Sequence, residues 1–161
     1  MKKILTVLIP VYNTEKYIKR CLDSLLLEET NSFVELLIVS DGSVDNSVNI
    51  VKDYGKKYPD TIRIIEKENG GHGSTINVGI KEAKGTYFRV IDSDDWVNSI
   101  DFIEFVSRLK NETVDVVVTN YTQEHIYSGE TVYNEYSNLI ENKSYDFEKI
   151  DLNILNGEYF V

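Results

Sequence analysis

The chemistry in this sequence concentrates where the apolar run Thr86-Tyr87-Phe88-Arg89-Val90-Ile91 ends in Asp92-Ser93-Asp94-Asp95-Trp96. Three carboxylates within four residues repel one another and raise each other's pKa, so such a cluster persists only when solvated or neutralised by a cation. Hard oxygen donors at this spacing suit Mg²⁺ or Mn²⁺. Two other polar segments follow apolar runs in the same way: Pro10-Val11-Tyr12-Asn13 and Asp41-Gly42-Ser43-Val44-Asp45. A fourth, Gly70-Gly71-His72-Gly73-Ser74, places backbone amides before a helix, where they make either an anion site or a plain tight turn. It lacks the lysine of a P-loop and the third glycine of a dinucleotide fingerprint. His72 could bond a phosphate or a sugar hydroxyl, or stand solvated.

The elements that must hold these segments follow from periodicity. Tyr87, Phe88, Val90 and Ile91 are types that fit a pleated, buried surface, so 86–91 is predicted as an interior strand. Residues 4–9, 33–40, 62–65 and 114–119 are predicted strands of the same kind, and Pro10 should end pairing of the first. Between them lie predicted helices over 15–27, 44–57, 75–83 and 100–109. Thr14 is the expected cap of the first helix, whose buried face is Ile18, Cys21, Leu22, Leu25 and Leu26; Ser43 is the expected cap of the second, and Gly85 the stop of the third. Strand and helix alternating in this order predict an α/β fold with a doubly wound, mostly parallel sheet flanked by helices. Its parallel strands deliver the polar segments to one edge, and ligands of open α/β sheets bind beyond that edge.

From Asn120 the character changes. Residues 121–136 alternate around Ser128-Gly129-Glu130 and predict an antiparallel hairpin, with a short helix over 147–155. The expected division is 1–119 as the α/β core and 120–161 as the hairpin and the start of a further region. The closing Tyr159-Phe160-Val161, without a capping signal, suggests truncation within a longer domain.

With 17 Lys and Arg against 27 Asp and Glu, the net charge of −10 argues against a nucleic-acid partner or an anionic membrane surface. The single cysteine, Cys21, excludes an internal disulfide, fits a reducing compartment and reads as a small buried hydrophobe. No apolar run reaches the roughly 20 residues of a membrane span, so the expected location is cytoplasmic, or the inner face of a membrane through a further part of the protein.

Taken together, Pro10-Val11-Tyr12-Asn13, Asp41 to Asp45, Asn77-Val78-Gly79 and Asp92-Ser93-Asp94-Asp95 resemble the nucleotide-sugar-binding half of a family-2 glycosyltransferase with the GT-A fold. The resemblance covers about residues 4–119. It implies a donor site in which Pro10, Tyr12 and Asp41 contact the base, Asp41 accepting its N–H. Asn13, Gly70, Gly71 and Asn77 join that site. Asp92 and Asp94 form an Asp-x-Asp motif that touches ribose and holds Mn²⁺ or Mg²⁺ on the diphosphate, with Asp95 as a further metal candidate. The implied activity is transfer of a sugar from a nucleoside diphosphate, UDP favoured, to a glycan, lipid or protein hydroxyl with inversion. Thr75-Ile76 stands where many members carry Ala-Arg, which removes one cationic phosphate contact. The family's catalytic base lies further downstream, and no acid here is assigned that role, so this chain alone is expected to bind the donor and transfer little.

Two other classes fit parts of the pattern. A receiver-type signalling domain shares the sheet and the acidic Mg²⁺ site, but would place paired acids after the first strand and a lysine after the fifth, where this chain has Val11-Tyr12-Asn13 and Thr119-Asn120. A non-catalytic nucleotide-sugar-binding fragment differs from the enzyme in turnover only. At single positions the structural alternatives are a helix-capping acid for Asp41 and Asp45, preferred for Asp45, and a core ring or a lid over the acids for Trp96.

Overall fold

The computed structural model describes residues 2–125, 127–136, 139–140 and 143–146. They form two compact units, divided between Glu112 and Thr113. The first alternates β1 (Leu5–Val11), α1 (Ile18–Leu25), β2 (Val34–Asp41), α2 (Ser47–Lys57), β3 (Ile62–Lys67), α3 (His72–Glu82), β4 (Tyr87–Val90) and α4 (Ser99–Leu109). Its four strands are all parallel, in the order β3-β2-β1-β4.

That order creates the switch point on which the site depends. The chain steps outward from β1 to β2 to β3, then returns past its start to place β4 on the other side of β1. Right-handed crossovers in opposite directions put their helices on opposite faces. Accordingly α1, α2 and α4 pack with Leu5, Val7, Ile9, Leu36 and Ile38 in the main core. α3 crosses the opposite face, where Leu8, Leu37 and Val39 form a smaller core with Ile76 and Val78. Strand side chains alternate between faces, and both faces of β1 and β2 are buried, hence their unbroken apolar runs. α1 buries Ile18, Leu22 and Leu25 completely, worth about 1.5–3 kcal/mol each. A side chain at Gly79 would run into Leu8, so glycine there sets the close approach of α3 to β1.

Several local expectations are corrected. Pro10 does not end β1, which pairs through Pro10↔Val39 and Val11↔Ser40. In a parallel strand alternate residues address alternate neighbours. Leu8 bonds toward β4 through Ile91, so Pro10 turns its missing N–H to the same side, past the end of that ladder. Thr14 gives α1 no side-chain cap; its carbonyl accepts from Tyr17 and Ile18, and the helix begins at Ile18. Ser43 does not cap α2, whose cap position is Asn46. α3 starts three residues earlier than predicted, at His72, because Gly71 adopts φ 83° and the Ser74 and Thr75 hydroxyls bond back to the carbonyls of Gly71 and His72. Gly85 is not the helix stop: a Cβ there would strike the β1 backbone at Leu5 and Thr6.

The predicted fifth strand is also absent: residues 114–119 form no strand, and Val116, Val117 and Val118 are exposed. β propensity expresses fit to a half-buried pleated surface and does not make a strand where none is offered. The compact units divide after Glu112, whereas the sequence reading divides the chain after Thr119. The second unit holds the predicted hairpin, β5 (Tyr121–His125) and β6 (Glu130–Asn134), antiparallel around Gly129 at φ 71°. The helix predicted over 147–155 lies outside the described residues. Among the described residues no helix is long and apolar enough to cross a membrane.

Candidate functional site

The carboxyl edge of the sheet gathers the sequence-distant polar segments and divides them into two kinds. The loops after β1 and β2 are stitched into one ridge. Asn13, at φ 53°, adopts the left-handed conformation its short polar side chain tolerates. Its Oδ1 accepts from the Val44 amide at 2.9 Å and its own amide donates to Ser43 Oγ at 3.2 Å. The Thr14 amide donates to Ser47 Oγ, the Glu15 amide to Asp45 Oδ2 and the Asn46 amide to Glu15 Oε2, at 2.8–3.0 Å. Asp45 also receives the Ser47 amide and hydroxyl. Burial opposes its charge, but these bonds outweigh burial and hold the carboxyl below the ordinary carboxylate range. Asp45 is therefore a structural acid, as preferred from the sequence. The ridge leaves Tyr12 51 % exposed beside the end of β1, while Pro10 is buried within the strand.

Asp41 closes β2, and its carboxylate is only 4 % exposed. Oδ1 accepts from the Gly70 amide at 2.9 Å and from Lys67 Nζ; Oδ2 accepts from the Gly71 amide at 2.8 Å. Burial again disfavours the charge, and the Lys67 ammonium with the two glycine amides more than offsets it, holding the carboxyl below its ordinary value. The glycine loop is thus an anion site whose anion is internal. The expectation that the amides of Gly70 and Gly71 meet a ligand phosphate is corrected accordingly, because both point at Asp41.

The acids after β4 are different. The Asp95 amide closes a turn onto the Asp92 carbonyl at 2.9 Å, burying Ser93 and leaving Asp92, Asp94 and Asp95 exposed. α1 anchors this turn: Cys21 Sγ lies 3.8 Å from the Asp92 carbonyl oxygen, Ser24 Oγ accepts from the Val97 amide, and the Arg20 guanidinium stacks 3.2 Å from the Trp96 ring centre. Trp96 is thereby a half-buried clamp on α1. Burial, and then the Asp95, Asp94 and Asp92 carboxylates, push the Cys21 thiol up to about 12, so it is inert as a nucleophile. Asp95 is held above the ordinary carboxylate range by burial and by the Asp94 and Asp92 charges. The only cationic candidate beside Asp92 among the described ion pairs is His72, whose Nε2 lies 3.8 Å from Asp92 Oδ1.

Among the described residues no three His, Cys, Asp or Glu side chains converge as a closed metal cage would require. Asp92, Asp94 and Asp95 instead form a shelf of exposed carboxylates. That donor set still fits Mg²⁺ or Mn²⁺, which are commonly held by one or two carboxylates with the remaining positions left to water and substrate phosphates. Asn77 lies exposed on α3, its side chain bonded to no other described residue.

Sequence reasoning missed Lys67, Ser74 and the approach of His72 to Asp92. Lys67 had a signal: Arg63, Ile65 and Lys67 share one strand face by alternation, and the register sets Lys67 opposite Asp41.

The comparisons with known proteins agree with this geometry. The model of Glycosyl transferase family 2 matches residues 6–159. Glycosyltransferase EpsJ of Bacillus subtilis is 39 % identical over 117 residues, 73 % of this chain and 33 % of that protein. Glycosyltransferase GlyA of Streptococcus pneumoniae is 36 % identical over 118 residues, 73 % of this chain and 16 % of that protein. The chain thus spans about a third or less of the length of these relatives. Among solved structures, S. aureus TarS 1–349 in complex with UDP-GlcNAc superposes with a TM-score of 0.58 at 31 % identity, over 66 % of this chain and 31 % of that one. The mannosyltransferase PcManGT of Pyrobaculum calidifontis, in complex with GDP-Man and Mn²⁺, shares the fold with a TM-score of 0.60 at 24 % identity, over 71 % of this chain and 34 % of that one. A parallel sheet with its acids at the switch point, the match over residues 6–159 and these GT-A neighbours lead to one statement: the chain belongs to glycosyl transferase family 2.

Proposed function

We propose that this chain forms the donor-binding part of a glycosyltransferase that moves a sugar from a nucleoside diphosphate, UDP favoured, to a hydroxyl of a glycan, lipid or protein, with inversion. The carrying observation is the uncompensated acid turn of Asp92, Asp94 and Asp95 at the switch between β1 and β4, beside an exposed aromatic ring. The exposed face of Tyr12 offers a stacking surface for the base, and the remaining acceptor position of Asp41 a partner for a base N–H. Asn13 keeps its amide NH₂ as a donor on the same ridge. Asp92 and Asp94 would hold Mn²⁺ or Mg²⁺, and when bound the ion supplies charge neutralisation for the leaving diphosphate. The net charge of −10 makes that neutralisation necessary for an anionic donor to approach. UDP as the favoured carrier is supported by the UDP-GlcNAc complex of TarS, a relative at 31 % identity. The base that activates the acceptor is assigned to no residue here.

The test is calorimetric titration of UDP, ATP and NAD in the presence of Mn²⁺. UDP should bind best, excess chelator should abolish the preference, and Asp94→Asn should weaken UDP at least tenfold while the melting temperature stays level or rises. Equal UDP binding with and without chelator would overturn the metal assignment.

A further inference from the structure

Lys67 is a small hub. Its ammonium contacts Asp41 Oδ1, the Glu68 carbonyl at 2.6 Å and Ser74 Oγ at 2.9 Å, joining the end of β2, the loop after β3 and the first turn of α3. The glycine loop is shaped around it. A Cβ at Gly70 would stand 3.0 Å from Lys67 Nζ and 2.8 Å from Ser74 Oγ, so glycine there lets the ammonium and the Ser74 hydroxyl keep these positions. The Lys67 side chain is 22 % exposed and that of Asp41 4 %, so the pair is shielded from competing water.

The acceptor inventory has a consequence for recognition. A carboxylate offers about four lone-pair positions. Lys67 and the Gly70 amide take both on Oδ1, and the Gly71 amide takes one on Oδ2, which leaves a single acceptor direction. Uracil presents one imide N–H flanked by carbonyl acceptors, whereas guanine presents adjacent ring N–H and amino donors that need two acceptors side by side. A guanine placed here would leave one donor desolvated and unpaired, which sites built on buried hydrogen bonds reject strongly.

Resting on the proposal that Asp41 receives the base, we infer that Lys67 is a positioning residue that sets base selectivity: with Gly70 and Gly71 it fills every acceptor position of Asp41 but one, admitting a single imide donor and excluding guanine. Lys67 touches no substrate in this scheme. It acts by keeping Asp41 ionised and by fixing which oxygen faces the ligand.

The experiment measures UDP and GDP affinities with Mn²⁺ by calorimetry between pH 5.5 and 8. The unaltered chain should favour UDP at least tenfold, with little dependence on pH. Lys67→Met keeps the stem and removes the charge; the UDP:GDP ratio should fall at least fivefold, and UDP binding should weaken toward low pH as the unpaired, buried Asp41 takes up a proton. Lys67→Arg should recover part of the ratio. A structural role alone would weaken both nucleotides equally and leave the pH profile flat, and that result overturns the inference. If Lys67→Met does not fold, Ser74→Ala removes one of the ammonium's anchors and should move the ratio at least twofold in the same direction; an unchanged ratio overturns the inference. Asp41→Asn separates the two levels. If it leaves the ratio unchanged, Asp41 does not read the base and the underlying assignment fails; if it shifts the ratio while Lys67→Met does not, only the role of Lys67 fails.

Discussion

The two ends of the same sheet treat charge in opposite ways. At the amino end, Glu35 on β2 accepts from Thr6 Oγ1 at 2.7 Å, from Arg63 Nε at 2.9 Å and from the Lys84 amide at 2.9 Å. Arg63 continues to the Glu82 carboxylate and carbonyl, and the Gly85 amide closes on Thr6 Oγ1. The Glu35 carboxylate is thus matched by Arg63 on the adjacent strand, and Arg63 in turn by Glu82 at the end of α3. At the carboxyl end, Asp92, Asp94 and Asp95 crowd together, and among the described residues only His72 forms an ion pair with one of them. Both ends hold acids at strand termini, so acidity alone does not mark a site; what sets the acids after β4 apart is their lack of compensation. On the proposed reading, the acids after β4 are left for a ligand that brings its own countercharge, while Asp41 at the same edge is matched internally by Lys67.

The largest expected effect tests the matched end. Glu35→Ala leaves Arg63 and the Thr6 hydroxyl without their shared acceptor, and breaking a buried ion pair from one side costs about 3 kcal/mol. Urea unfolding should show that loss while UDP affinity in the folded chain is unchanged. A loss below about 1 kcal/mol would place this network among solvent-screened surface pairs and weaken the contrast.

A middle-sized effect tests whether the carboxyl edge is uniform. Asp45 lies at that edge yet is fully engaged by Ser47 and Glu15, so it should behave like the residues of the opposite end. Asp45→Ala should cost about 1 kcal/mol, the usual value for losing a capping acceptor, and leave nucleotide binding alone. Loss of binding without loss of stability would move Asp45 into the site.

The sequence made the acid turn legible because an apolar strand running into three carboxylates is a local pattern, and the alternation of strand and helix placed it at the correct edge. It also made Asp45 legible as structural. What it hid depends on partners distant in the chain. The occupation of Asp41 by Gly70 and Gly71 comes from a loop 29 residues away, and read alone that loop looks like a free anion site. Pro10 was misjudged because whether its missing N–H matters depends on which neighbour that side of β1 faces, a fact of strand order. Residues 114–119 carry strand-forming types without the surface that would make them a strand. Gly85 looked like a helix stop and is instead a point of backbone contact, which only the packing of the turn into β4 on β1 reveals.

The smallest expected effect is the sharpest, because its sign is opposite. Asp41 and Asp45 are held below the ordinary carboxylate range, so their stabilisation is complete above the unfolded pKa, about 3.9, and is lost as pH falls through their folded values. Asp95 is held above that range, so the folded chain keeps its proton more tightly than the unfolded chain does. Its favourable contribution belongs to pH below the unfolded pKa and is lost as pH rises through the folded one; at neutral pH the ionised group is a net cost. Asp95→Asn fixes the neutral state, and should therefore raise stability at pH 7 by about 0.2–1 kcal/mol, the scale of exposed charge pairs. The gain should vanish below about pH 4, where the unaltered acid is protonated too. Mn²⁺ should narrow the difference at pH 7, since a bound cation relieves the same repulsion in the unaltered chain. Urea unfolding at pH 7 and pH 3.5, with and without Mn²⁺, measures all three terms. A loss of stability at pH 7, or a gain equal at both pH values, would mean that the acids at this end are already compensated within the fold, and the asymmetry between the two ends of the sheet would lose its functional meaning.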